Sequence, residues 1–219
     1  MANATVATFP GRGIIWQRMK GNGTEAKNLG WGTSATTASA NANVNLFAPA
    51  TESRTAGTST IITTTQLGDT YQVTGTIVCA SSGKTITEVG LFDTTTLSGT
   101  SSLSASLTAG ATTMTLAANI GPTTGNYYAQ VNNETILVTG ANSTTLTIAR
   151  GALGTTSTTQ ASASVVTSGG DGGAGGWTTG QTAAFGAAQG GDIFIHADFA
   201  GIALNVNDSI AFTITDTLT

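Results

Sequence analysis

TYQVTGTIVCA, residues 70–80, places Tyr71, Val73, Ile77 and Cys79 on one side of an extended chain and Gln72, Thr74 and Thr76 on the other. A period of two is the pattern of a half-buried β-strand, and here it decides the fold class. Upstream, the β-branched run STIITTT (59–65) meets it across QLGD (66–69), so 59–80 reads as a hairpin. Downstream, KTITEVGLFD (84–93) is a further strand, GDIFIHADF (191–199) sets Ile193 and Ile195 against Phe194 and His196, and DSIAFTITDTL (208–218) alternates Ile210, Phe212 and Ile214. No window of a dozen residues carries an apolar stripe at helical spacing with good helix formers, so helix is not expected. The chain is expected to be all-β, an antiparallel β-sandwich of jelly-roll-like form.

After KTITEVGLFDTTTLSG a hairpin should return at once, yet the texture changes. TTMTLA (112–117), GNYYAQVNNETILVTG (125–140) and STTLTIARGALGTT (143–156) are closely spaced strand units, with Tyr128–Val131 and Ile136–Val138 as a hairpin around the Asn132–Asn133 turn. SGGDGGAGGWTTGQ (168–181) then has the composition of a flexible loop. This order predicts nesting. An arm (1–27) precedes a discontinuous main β-sandwich domain (28–99 plus 170–219), interrupted by an inserted small β-barrel or sandwich domain (100–169). The strand at 84–93 is expected to find its partners in both 192–199 and 208–218. The polar tip TTTLSGTSS is the kind of site that tolerates insertion.

Charged residues make up 8% of the chain, against about 25% in ordinary soluble domains. Such a surface is neutral and polar, or is covered by neighbours, which argues against a free cytosolic enzyme. A net charge of −4 gives no electrostatic grip on nucleic acid or an anionic membrane, and neither partner is expected. The single cysteine, Cys79, rules out an internal disulfide and reads as a buried thiol. The start MANATVATFPGRGIIW lacks a basic segment followed by an apolar run, so no secretory signal is expected. No stretch reaches the length of a membrane helix.

Candidate chemistry is sparse. His196 is the sole histidine and lies near Asp192, Asp198 and Asp208, but no G-x-S-x-G elbow accompanies it; a strand or interface histidine is expected. Glu88 and Asp93 are five residues apart and fall on opposite faces of a straight strand, so they do not form a carboxylate pair. Glu88 is expected to pair with Arg54, and Asp93 to cap the turn. Arg150 should donate to backbone carbonyls around it. ARGALGTT and GGDGGAGG lack the lysine and helix of a phosphate loop. No catalytic residue, metal site or cofactor is expected. The candidate interface residues are the cations Arg12, Arg18 and Lys20 and the tryptophans Trp16, Trp31 and Trp177. The tryptophans serve either as interface anchors or as plugs at the sandwich ends. The cationic N-terminal stretch is either an arm on an acidic neighbour or a solvated edge.

NLGWGTSATTA (28–38), LFAPATESRTAGT (46–58), DTYQVTGTI (69–77), KTITEVGLFD and GDIFIHADFAGIALNVNDSIAFTIT (191–215), in that order, resemble a family of tailed-bacteriophage virion proteins. NETILVTGANSTTLTIARGALGTTSTTQASASVV (133–166) is similar to a repeat of phage head and tail proteins, although a histidine often seen in that repeat is Gln160 here. The resemblance implies a virion structural protein, not an enzyme. It implies a capsid decoration or cement protein, a homotrimer on the major capsid protein, assembled in the host cytoplasm and carried in the virion. The alternative it leaves is a tail, neck, baseplate or fibre component, and a third is a carbohydrate-binding module.

Overall fold

The computed structural model describes residues 2–19, 21, 23–35, 39–121, 126–169 and 190–217. Along the chain, β1 (Ala2–Ala7) and a helix, α1 (Phe9–Met19), precede β2 (Asn28–Gly32), β3 (Thr55–Ala56), β4 (Thr58–Ile62), β5 (Thr70–Val78) and β6 (Lys84–Phe92). Then come β7 (Thr100–Ser102), β8 (Thr113–Thr115), β9 (Tyr127–Val131), β10 (Glu134–Asn142), β11 (Thr145–Ala149) and β12 (Val165–Ser168). Two long strands, β13 (Ile193–Leu204) and β14 (Ser209–Thr217), close the chain. The fold is all-β, and among the described residues the strands form three antiparallel sheets, ordered β1-β13-β6-β2-β3, β14-β5-β4 and β7-β12-β9-β10-β11-β8.

The first two sheets face each other. Val73 and Ile77 of β5 and Ile214 of β14 pack on Leu29, Trp31, Val89, Leu91, Ile195 and Ala197 of the five-stranded sheet. Each such side chain contributes about 1.5–3 kcal/mol by leaving water. Cys79 is buried as expected, its thiol against the Ser82 carbonyl oxygen. Gly75 belongs to this seam, because a Cβ there would sit 2.5 Å from Leu29 Cδ1. The 59–80 hairpin is present as β4 and β5. Asp69 shapes its turn by accepting the amides of Thr64, Thr65 and Gln66, bonds that hold its carboxyl far below the ordinary value.

The strand at 84–92 pairs with β13 on one side and β2 on the other. The expectation that 208–218 also lies beside it is corrected: β14 pairs with β5 over nine unbroken register positions in the opposite sheet. Strands β5–β6 and β13–β14 are one two-stranded ribbon folded over between the sheets. The fold line is where Asn207 N–H donates to the Cys79 carbonyl (2.8 Å) and Cys79 N–H donates to the Asp208 carbonyl (2.9 Å). Alternation alone suits either sheet; the turn at 205–208 directs the strand across.

The N-terminal stretch departs from expectation. Its first strand, β1, pairs with β13 at the sheet edge. The helix that follows has no apolar stripe but a good start. Thr8 Oγ1 accepts the Gly11 amide at 3.1 Å, and Pro10 sits in the first turn, where its missing N–H costs nothing. Gly11 lies so close to Phe194 that a Cβ would be 2.7 Å from its ring, and only Pro10, Gly11 and Ile14 are buried.

Strands β7–β12 carry their own core, including Leu103, Met114, Leu116, Tyr127, Val131, Ile136, Leu146 and Val166. The sheet curls until its edges meet: Ser104 N–H donates to Thr115 O and Ala117 N–H to Ser102 O, both at 2.9 Å, around the Leu103–Leu116 bridge. Asn132, at φ 50°, turns the expected β9–β10 hairpin. Apart from residues 168 and 169, the glycine-rich stretch at 168–181 lies outside the described residues.

Candidate functional site

Residues 42–48 form a strap between the curled sheet and the sandwich, and residues 42–47 of it are buried. Its outer side is held by the curled sheet. Thr135 Oγ1 donates to Ala42 O (2.6 Å), Val44 N–H to Gln130 Oε1 (3.1 Å), Asn45 Nδ2 to Ser168 O (2.6 Å) and Thr167 Oγ1 to Leu46 O (3.1 Å). Its inner side rests on β6 and β13. Phe47 and Ala48 donate their amides to the two oxygens of Glu88, both at 2.9 Å. His196 Nε2 meets Glu88 Oε2 at 2.9 Å, Nδ1 meets Asn43 Oδ1 at 3.0 Å, and the Phe47 ring stands edge-on to the imidazole.

Strand pairing explains the assembly. Asp198 lies opposite Glu88 and His196 opposite Gly90, so Glu88, His196 and Asp198 project from one face of the sheet toward the strap. Glycine at position 32 gives Glu88 its room, since a Cβ there would be 2.3 Å from Oε1. The expected Glu88–Arg54 pair does not form. Glu88 finds strap amides and His196, while Arg54 stacks over the Phe92 ring and donates to the carbonyls of Thr94 and Gly190 and to Ser98 Oγ. Burial pulls the Arg54 guanidinium down to about 9, partly offset by the charge of Asp93. Asp93 does act locally, accepting the Asp192 amide at 2.9 Å. His196 and Glu88 present no surface to solvent.

A second polar node lies in the curled sheet. Arg150 pairs with Glu134 through Nε (2.7 Å) and Nη2 (2.6 Å), and donates to the Thr108 and Thr158 carbonyls, the backbone role expected of it. Gly151 N–H and Gln160 Nε2 add to Glu134, and Asn132 Nδ2 donates to Gln160 Oε1. Burial alone would raise the Glu134 carboxyl; the Arg150, Gly151 and Gln160 hydrogen bonds outweigh it and hold the pKa below the ordinary value. Residues spread over 132–160 in sequence thus converge on one buried carboxylate.

The exposed features are different in kind. Among the described residues, the charged side chains that stand open to water are Arg12, Arg18 and Asp208; the others are buried or half-buried. The outer face of the three-stranded sheet is neutral, with cross-strand rows Thr58–Thr74–Thr213 and Thr60–Gln72–Thr215. Between α1 and the β4–β5 hairpin runs a groove of about 530 Å³, whose apolar lining includes Ile15, Met19, Ile61, Tyr71 and Phe194. Its surroundings expose Trp16 (63%), Met19 (72%), Ile61 (65%) and Leu67 (95%).

Of the candidate interface residues, Arg12, Trp16 and Arg18 share exposed positions on α1. Trp31 is corrected to a core residue, 2% exposed, with Nε1 donating to Glu52 Oε2 at 3.4 Å. Lys20 and Trp177 lie outside the described residues. Sequence reading missed Ile61 and Leu67, which look like ordinary strand and turn residues. It also missed Glu134, whose partner is sixteen residues away. Among the described residues no group of His, Cys, Asp and Glu is arranged to hold a metal, and no helix is long and apolar enough to cross a membrane. No protein-family model, curated protein or solved structure matches the chain.

Proposed function

We propose that this chain is a virion structural protein, a decoration or cement protein that binds the outside of a tailed-phage head and stabilises its lattice. The observation that carries the reading is the disposition of charge. The few ionic groups are drawn inward to fasten loops, and water is left a face of threonines, amides and exposed apolar side chains. Interface centres are depleted of charge in the same way, because an unpaired charge is costly to desolvate. The buried ionic nodes fit the same role: Glu88 and Glu134 spend their acceptor positions on loop amides and neighbouring side chains. The short motifs resembling phage virion proteins support this reading.

Bound copies would favour the assembled shell in proportion to their contact free energy. The partners are then the major capsid protein and further copies of this chain, as a homotrimer. Immunogold labelling of phage particles with antibody to the chain tests the location. Label distributed over the head is expected; label confined to the tail replaces the head reading with a tail or baseplate one. Heads assembled without the chain should gain heat resistance when it is added, and heads that neither bind it nor gain resistance overturn the proposal.

A further inference from the structure

The apolar groove beside α1 is lined on its far wall by acidic groups. Glu25, Asp69 and Asp216 contribute carboxylates, against the single cation Arg18. Two of the three are already engaged. Asp69 holds its turn amides, and Glu25 faces Lys27 at 3.1 Å and accepts the Tyr71 hydroxyl. Asp216 lies opposite Tyr71 in the β5–β14 pairing, and among the described residues its carboxylate has no hydrogen-bond or ion-pair partner. Burial raises its carboxyl pKa.

Among the described residues the cations that could answer it are few. Arg54, Lys84 and Arg150 are consumed by contacts inside the protein, and Lys27 by Glu25. Among the described residues, two of the three exposed charges are Arg12 and Arg18, both on α1. Arg12 and Trp16 are one helical turn apart and do not line the groove, so they form a separate cationic and aromatic face on the same helix. The chain therefore carries both an acid-rimmed apolar groove and an exposed basic, aromatic helix face that complements it.

Resting on the reading of the chain as a self-associating virion component, we infer that the groove receives helix α1 of a second copy. Trp16 of that copy covers Ile61 and Met19, and its Arg12 pairs with Asp216. The donor residues, Arg12 and Trp16, differ from the acceptor residues, Ile61, Tyr71 and Asp216. In the proposed assembly each copy gives α1 to one neighbour and receives it from another, a heterologous contact that forms a ring when its rotation closes. Three copies make the smallest such ring, in keeping with the proposed trimer. Trp and Arg are the side chains that most often anchor interfaces, and the contact would cover an exposed apolar patch that a lone copy leaves in water.

Analytical ultracentrifugation and mass photometry of the full chain test this. A trimer is expected at micromolar concentration. Trp16→Ala, Ile61→Glu, Arg12→Glu and Asp216→Lys should each weaken assembly at least about tenfold, while cooperative thermal unfolding shows each variant folded. Arg12→Glu combined with Asp216→Lys should restore assembly, a rescue that misfolding cannot mimic. A monomeric wild-type chain, a trimer indifferent to Trp16→Ala and Ile61→Glu, or failure of the double reversal overturns the inference. The head-labelling experiment is independent. A monomer that still decorates heads removes this interface alone, and a trimer that ignores heads removes the virion reading alone.

Discussion

His196 Nε2 lies 2.9 Å from Glu88 Oε2, with both side chains wholly buried between β6, β13 and the strap. Asn43 Oδ1 already accepts the Ala40 amide, which identifies that atom as oxygen, so His196 Nδ1 must donate to it. Glu88 accepts two backbone amides, so a further proton sits between Nε2 and Oε2. Histidine and carboxylate thus form one proton-sharing unit that fixes the strap. Glu88→Gln and His196→Ala are each expected to destabilise the protein by about 3–5 kcal/mol, the range for stranding one member of a buried pair. The double variant should cost clearly less than the sum, since the partners act together. Urea unfolding of the four proteins checks this; additive losses would mean that the pair carries no coupling.

Glu134 gives the pH dependence a direction. Hydrogen bonds from Arg150, Gly151 and Gln160 overcome burial and keep its folded pKa below the unfolded one. Its contribution is therefore full above the unfolded carboxylate value and is lost as pH falls through the folded one. Thermal unfolding followed from about pH 6 down to about pH 3 should show a falling midpoint, and Glu134→Gln should flatten part of that slope. An unchanged slope in the variant would place the acid sensitivity elsewhere.

Much of the architecture could be read from TYQVTGTIVCA and its neighbours because period-two alternation reports burial on one face. The β4–β5 and β9–β10 hairpins follow from it, as do the β6–β13 pairing and the core position of Cys79. Three features could not be read so. The sheet that receives β14 is chosen by a turn and not by the strand. Helix α1 depends on a cap at Thr8 and a close fit of Gly11 to Phe194, with little periodicity of its own. Scarcity of cations points to Arg54 as the partner of Glu88, yet its partners are strap amides and His196, and backbone donors leave no mark in a sequence. The groove combines α1 and the nearby Glu25 and Ala26 with residues of β4, β5, β13 and β14, distant in the chain, a separation that no local motif encodes.

Trp16 and Trp31 should respond in opposite ways. Trp31 is buried at 2% and bonded to Glu52, so Trp31→Ala is expected to cost about 3–5 kcal/mol. Trp16 is 63% exposed, so Trp16→Ala should change the stability of a dissociated copy by no more than about 0.5 kcal/mol. Denaturant midpoints measured at low protein concentration compare the two. A large loss for Trp16→Ala under those conditions would make Trp16 a structural residue of the single chain.

The strap makes the two parts of the molecule depend on each other unequally. The curled sheet has its own core, closes edge to edge and keeps its Glu134–Arg150 node within 100–168. The sandwich, by contrast, holds the strap through Glu88, His196 and the Thr33 amide on one side only; the other side is anchored by Gln130, Thr135, Thr167 and Ser168. Removing residues 100–168 and joining the ends by a short turn takes away those four anchors, each worth about 0.5–1.5 kcal/mol as a net hydrogen bond. It also opens the Glu88–His196 pair to water. The isolated segment 100–168 is expected to unfold cooperatively, while the remainder should lose several kcal/mol and show fast amide exchange at Val44 and Phe47. Hydrogen-exchange mass spectrometry of both fragments against the whole chain measures this, and a remainder whose strap stays protected would show that the sandwich alone suffices to hold it.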